Sequence, residues 1–133
     1  MCPLICATHV AKRKTSMPKA QATPGKALLS PADHTLIMID HQSQMSFATK
    51  TIDATLLRNN CALVAKAARE FKVSTILTTV AEKSFSGPIY EEIRSVFPKD
   101  EIIDRTSMNT WEDTRIAKRV NEIGKGRIVL AGL

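Results

Sequence analysis

Thr35-Leu-Ile-Met-Ile-Asp-His-Gln42 decides the fold of this chain. Leu36 to Ile39 is a continuous apolar run that stops at a carboxylate, Asp40. Four apolar residues without polar alternation predict a strand covered on both faces, as in a parallel sheet flanked by helices. The carboxyl end of such a strand is where open α/β sheets place their ligands. Asp40, His41 and Gln42 are therefore the first candidate site residues.

Outward from that stretch, the pattern alternates. The strand covers about residues 35–40, and a polar loop is expected over residues 41–50. A helix follows over residues 52–71, with Leu57, Cys61, Val64, Ala68 and Phe71 as its apolar stripe. Thr51 is the expected cap and Asp53 suits the first turn. A β-branched, Thr-rich second strand spans residues 73–80, and residues 81–86 read as a loop. Pro88 suits the first position of a short helix that presents Ile89, Ile93 and Val96 and ends at Pro98. Residues 101–104 form a third strand, with Arg105 immediately after it. Thr110-Trp-Glu-Asp113 has capping-box spacing and opens a helix with Ile116, Val120 and Ile123 inward. Gly124 or Gly126 closes that helix, and residues 127–133 are a fourth strand. Gly124-Lys-Gly126 is no phosphate loop, because it closes a helix instead of opening one. The β-α-β-α-β-α-β order with right-handed crossovers gives an α/β fold with a parallel sheet.

Length and charge narrow the function. The 133 residues are one domain's worth, and 44% hydrophobic content suffices for a core. No apolar run approaches the roughly 20 residues that span a bilayer, so no membrane partner is expected. The net charge of +6 is uneven: Lys12, Arg13, Lys14, Lys19 and Lys26 lie in an acid-free stretch, and residues 33–133 carry about one net positive. The expected division is a disordered basic tail over residues 1–30 and a folded domain over residues 31–133. A tail-driven nucleic-acid binder is the third-ranked function, since the charge belongs to no folded face. Three cysteines, Cys2, Cys6 and Cys61, make no disulfide framework and point to a reducing, cytoplasmic setting. Organelle targeting by the tail is the minority alternative. Cys2, Cys6 and His9 lack a fourth zinc ligand, and no metal site is expected. Cys61, on the apolar stripe, reads as a small core residue.

The chemistry should lie at the strand carboxyl ends: Asp40 with His41 and Gln42, Glu82 and Lys83, Arg105, and Asn109 with Trp111. On spacing alone, Asp40 and Arg105 could equally be a plain structural ion pair. A tryptophan such as Trp111 is more often a core anchor than a substrate-stacking platform.

Leu36-Ile-Met-Ile-Asp-His-Gln42, Asn59-Asn60, Thr75-Ile-Leu-Thr-Thr79, Gly87-Pro88, Phe97-Pro98, Arg105, Asn109-Thr-Trp111 and Ile128-Val-Leu-Ala-Gly132 together resemble the isochorismatase-like cysteine hydrolases, in their YcaC-related branch. The resemblance runs over about residues 30–133. It implies a Rossmann-like sheet with order 3-2-1-4 within a six-stranded parent, incomplete at its C-terminal end. It implies a triad of Asp, Lys or Arg, and Cys, with Asp40 as general base and Arg105 as the basic member. Gln42, Glu82, Asn109 and Trp111 are then the expected substrate contacts. The activity implied is hydrolysis of small amides, ureido compounds or related substrates, with no cofactor, in proteins that often form homo-oligomers. The family's cysteine and its oxyanion hole follow the strand that here is Ile128 to Ala131, which places them after Leu133. The polypeptide as written is thus expected to be inactive. The alternative is a non-catalytic short homologue that binds a full-length family member.

Overall fold

The computed structural model describes residues 28–133; the tail expected over residues 1–30, with Cys2, Cys6 and His9, lies almost wholly outside the described residues. Four strands form one parallel sheet in the order β3-β2-β1-β4. They are β1 (His34–Ile39), β2 (Ser74–Val80), β3 (Ile102–Arg105) and β4 (Arg127–Gly132). The predicted α/β class, parallel sense and strand order 3-2-1-4 all hold. β1 is central: Ile37 pairs with Ile76 of β2 and with Leu130 of β4. Leu36 and Met38 point into one core and Ile37 into the other, so a strand without alternation is the one covered on both faces.

The first core lies beneath α2 (Ala54–Glu70) and α3 (Glu91–Arg94), where Leu57, Cys61, Ala65, Tyr90, Ile93 and Phe97 meet Leu36, Met38 and Leu77. The second, smaller core joins Ile37, Ile76 and Ile103 to Ile116 and Val120 of α4 (Thr114–Ile123).

Five local expectations need correction. First, residues 41–50 are not all loop: α1 (Ser43–Ala48) occupies them, held by a Ser46 Oγ–Tyr90 Oη hydrogen bond of 2.6 Å that no local pattern announces. Second, α2 is capped by Asp53, whose carboxylate accepts from Thr55 N and Leu56 N, and not by Thr51. Its buried stripe is Leu57, Cys61, Ala62, Ala65 and Ala68, while Val64 and Phe71 are exposed. Third, residues 82–86 form a π-helical turn, because Ala81 adopts a left-handed backbone (φ 49°) and its carbonyl gathers the amides of Ser84, Phe85 and Ser86. Fourth, Pro88 does not open α3. The chain stays extended through a bridge between Ile89 and Gln42, and Tyr90 is the N-cap. Fifth, the Thr110–Asp113 capping box is two separate caps. Asn109 caps a 3-10 turn over Thr110–Glu112, and Asp113 caps α4. Gly124 closes α4 in the left-handed conformation, as expected (φ 67°).

Candidate active site at the carboxyl end of the sheet

Asp40 follows β1 directly and turns the chain with a left-handed backbone (φ 56°), which Asp tolerates better than most residues. Its amide donates to Thr78 O (3.0 Å) and its carbonyl accepts from Gln42 N (2.7 Å), so the turn is pinned on both sides. Arg105 is the last residue of β3. The end of β2 lies between them in the sheet, and the arginine reaches across it. Arg105 Nη2 donates to Asp40 Oδ2 at 2.5 Å, with the arginine side chain wholly buried. Asp40 Oδ1 and Arg105 Nε have no hydrogen-bond partner among the described residues.

Burial pushes the Asp40 carboxyl above its ordinary value; the hydrogen bond and charge of Arg105 oppose that, and the neighbouring charge of Asp104 adds to it. Asp104 is itself held by Thr79 Oγ1 (2.9 Å) and Glu82 N (3.1 Å). Beside Asp40, the buried His41 is pushed down to about 4 by desolvation and is a neutral imidazole near pH 7. Its ring lies edge-on to Tyr90, with centroids 6.3 Å apart. Its Nδ1 has no partner among the described residues.

The other expected site residues divide into two groups. Gln42 is fully buried and its amide is taken up by backbone. Nε2 donates to Val80 O (3.1 Å) and Gly87 O (2.5 Å), and Oε1 accepts from Val80 N (2.9 Å). Gly87 is required there: its φ is 73°, and a Cβ would stand 2.9 Å from Ser43 Oγ. Gln42 therefore ties the ends of β1 and β2 to the turn before α3. Glu82 stands half-buried at the start of the π-helical turn. Asn109 and Trp111 lie in the segment leaving β3, where Asn109 Oδ1 accepts from Trp111 N (3.1 Å) and the indole is 54% exposed. Trp111 is thus no core anchor. Lys83 is exposed. Cys61 is buried under α2, and burial raises its thiol above the ordinary value, as suits a packing residue.

Two residues of the site were missed by sequence reasoning. Asp104 alternates with Arg105 and pairs with Thr79, a register visible only once strands are aligned. Tyr90 packs on His41 and holds α1, and nothing in its local sequence signals either contact. Among the described residues there is no group of three His, Cys, Asp or Glu side chains placed to hold a metal ion. No helix among them is long and apolar enough to cross a membrane.

The model of the isochorismatase domain family matches residues 34–133. The chain is 29% identical over 102 residues to the probable hydrolase YcaC of Escherichia coli K12, a match covering 76% of this chain and 49% of that protein. The crystal structure of the Escherichia coli YcaC gene product, an octameric hydrolase of unknown specificity, is similar at a TM-score of 0.76 and 30% identity, over 80% of this chain and 53% of that one. YcaC from Pseudomonas aeruginosa, solved with hexane-2,5-diol and covalent acrylamide, gives 0.75 and 30% over 79% and 52%. The MAR1 ribonuclease of Caenorhabditis elegans, at a TM-score of 0.60 and 21% identity over 80% and 53%, shares the fold alone. This chain spans about half the length of these relatives.

Proposed function

This chain belongs to the isochorismatase family, and on that premise we propose that Asp40 and Arg105 are the base and the basic member of a cysteine hydrolase acting on a small amide or related C–N substrate. The observation that carries this reading is the buried Asp40–Arg105 pair at the carboxyl end of the sheet. Asp40 lies beside the point where β4 leaves the sheet: Leu133 N donates to Ile39 O at 3.3 Å. That gap between β1 and β4 is the topological switch point of the sheet.

In the proposed reaction, Asp40 takes the proton of a cysteine thiol supplied by residues after Leu133. The thiolate attacks the carbonyl carbon, and the C–N bond breaks as the leaving nitrogen takes the proton from Asp40. Water then hydrolyses the thioester, restoring the thiol. The raised Asp40 carboxyl and its free Oδ1 suit a proton acceptor. Arg105 holds the carboxylate in place and limits its protonation. Gln42 acts as a positioning residue, while Glu82, Asn109 and Trp111 are the proposed substrate contacts. The substrate is a small molecule, the setting cytoplasmic, and the assembly a homo-oligomer as in the octameric relative.

The test compares two polypeptides on a panel of small amides. Residues 1–133 alone are expected to show no turnover. The reading frame continued beyond Leu133, with a Cys about five residues on, is expected to be active and to lose activity on Asp40→Ala. Turnover by residues 1–133 that Asp40→Ala abolishes would overturn the assignment of the nucleophile.

A second reading has its own observation. Leu29, Pro31, Leu36, Val64, Phe71 and Val129 border an apolar groove of about 480 Å³ beside β4, and Leu130 is 66% exposed. A non-catalytic short homologue would place a full-length family member on that face. Coelution of residues 1–133 with a full-length relative supports it, and an inert monomer under the same conditions counts against it.

A further inference from the structure

Arg105 makes more bonds than a counter-ion to Asp40 needs. While Nη2 serves Asp40 Oδ2, Nη1 donates to two backbone carbonyls, Ser107 O (2.6 Å) and Met108 O (3.1 Å). These carbonyls open the segment that leaves β3. The segment is knitted internally: Ser107 Oγ donates to Asn109 O (3.2 Å), Asn109 Oδ1 accepts from Trp111 N (3.1 Å), and Glu112 N donates to Asn109 O (3.1 Å). One rigid plane thus carries Asp40 on one nitrogen and the 107–112 segment on another. A planar fork cannot follow one partner without straining the other. A lysine would bring the charge and three donors on one nitrogen, but not the rigid plane that fixes the two directions relative to each other.

We propose that Arg105 is a two-sided positioning residue that fixes the 107–112 segment to Asp40, so that the ion pair and the segment are set together. The segment carries Met108 and Trp111, which stand 79% and 54% exposed. The clamp does not rest on the hydrolase reading.

Trp111 is the single tryptophan of the 133 residues, so its fluorescence reports this segment alone. The experiment measures succinimide quenching and anisotropy of Trp111 in the 133-residue polypeptide and in its Arg105→Lys, Asp40→Asn and double variants, with far-UV circular dichroism confirming the fold. Arg105→Lys and Asp40→Asn are each expected to raise quenching roughly twofold and to lower anisotropy, as the segment gains local freedom. The double variant is expected to go no further than Arg105→Lys, because both act through one group. A residue that only fills the core would not transmit Asp40→Asn to Trp111. Unchanged Trp111 signals in both single variants, or additive effects in the double, would overturn the clamp. Should Arg105→Lys fail to fold, Asn109→Ala tests the coupling in reverse from an exposed position. The backbone amide resonances of Asp40 and His41 are then expected to shift, and unmoved resonances would overturn the proposal. Neither readout uses turnover, so loss of the hydrolase reading leaves the clamp standing or falling by itself.

Discussion

β1 and β4 lie side by side, paired residue for residue from His34–Arg127 to Ile39–Gly132. Both have apolar centres, Leu-Ile-Met-Ile in one and Ile-Val-Leu-Ala in the other. Yet β1 is buried from Thr35 to Met38, whereas β4 has no buried residue. Their mutual pairing does not make the difference, because the ladder between them is shared residue for residue. The difference is cover. β1 has α2 and α3 on one face, α4 on the other and strands on both edges, while β4 pairs among the described residues with β1 alone. An apolar sequence thus specifies a strand, and neighbouring layers specify whether burial makes it stabilising.

The contrast can be broken most forcefully at the end of β1. Asp40→Ala would leave the Arg105 guanidinium buried without its carboxylate, at an expected cost of about 3–5 kcal/mol in urea unfolding. A loss within about 0.5 kcal/mol, typical of surface sites, would mean that the pair is not buried in solution.

Paired truncations probe the strands themselves. Met38→Ala, at a fully buried site, is expected to cost about 2–5 kcal/mol. Leu130→Ala on the neighbouring strand, 66% exposed, should stay within about 0.5 kcal/mol. Equal losses would show that β4 is covered in solution.

Titration tests the same buried corner. His41 is pushed down to about 4 in the folded chain, so the unfolded chain binds its proton more tightly. Its contribution is fully present above the ordinary value of 6.5 and is lost as pH falls from there toward 4, about 3 kcal/mol in all. Asp40 has the opposite sign, since a raised carboxyl loses relative stability as pH rises through its window. Comparing the pH dependence of stability with that of His41→Asn isolates the histidine. Parallel curves would show that His41 is solvated.

The smallest effect is expected on β4. In the 133-residue polypeptide, Leu130→Ser should leave the unfolding midpoint nearly unchanged while reducing any concentration-dependent association, because an exposed apolar strand invites pairing. Sedimentation at two loading concentrations reads it, and association equal to the parent's would place the contact elsewhere.

Much of this was legible in the sequence. β1 and the parallel α/β class follow from an unalternating apolar run and the β-α-β alternation, while the strand order and the joining of Asp40 with Arg105 came from the family resemblance. What escaped is tertiary. α1 leans on Tyr90, the turn after β2 depends on Ala81 in a left-handed conformation, and Gln42 became a backbone strut through Val80 and Gly87. The exposure of Val64 and Phe71 was hidden because helical periodicity gives a stripe but not the width of the surface beneath it. Caps slipped for a similar reason: Thr51, Asp53, Thr110 and Asp113 all suit the position, and the backbone path selected the two aspartates.

The pairing of His34 with Arg127 also has a kinetic meaning. β2 joins β1 through one connection that carries α1 and α2, whereas β4 must return across nearly the whole described chain to find the same strand. Loop-closure entropy makes the first contact early and the second late. Pulse-labelled hydrogen exchange during refolding should protect Ile76 and Leu77 before Val129 and Leu130, and simultaneous protection would argue against that order.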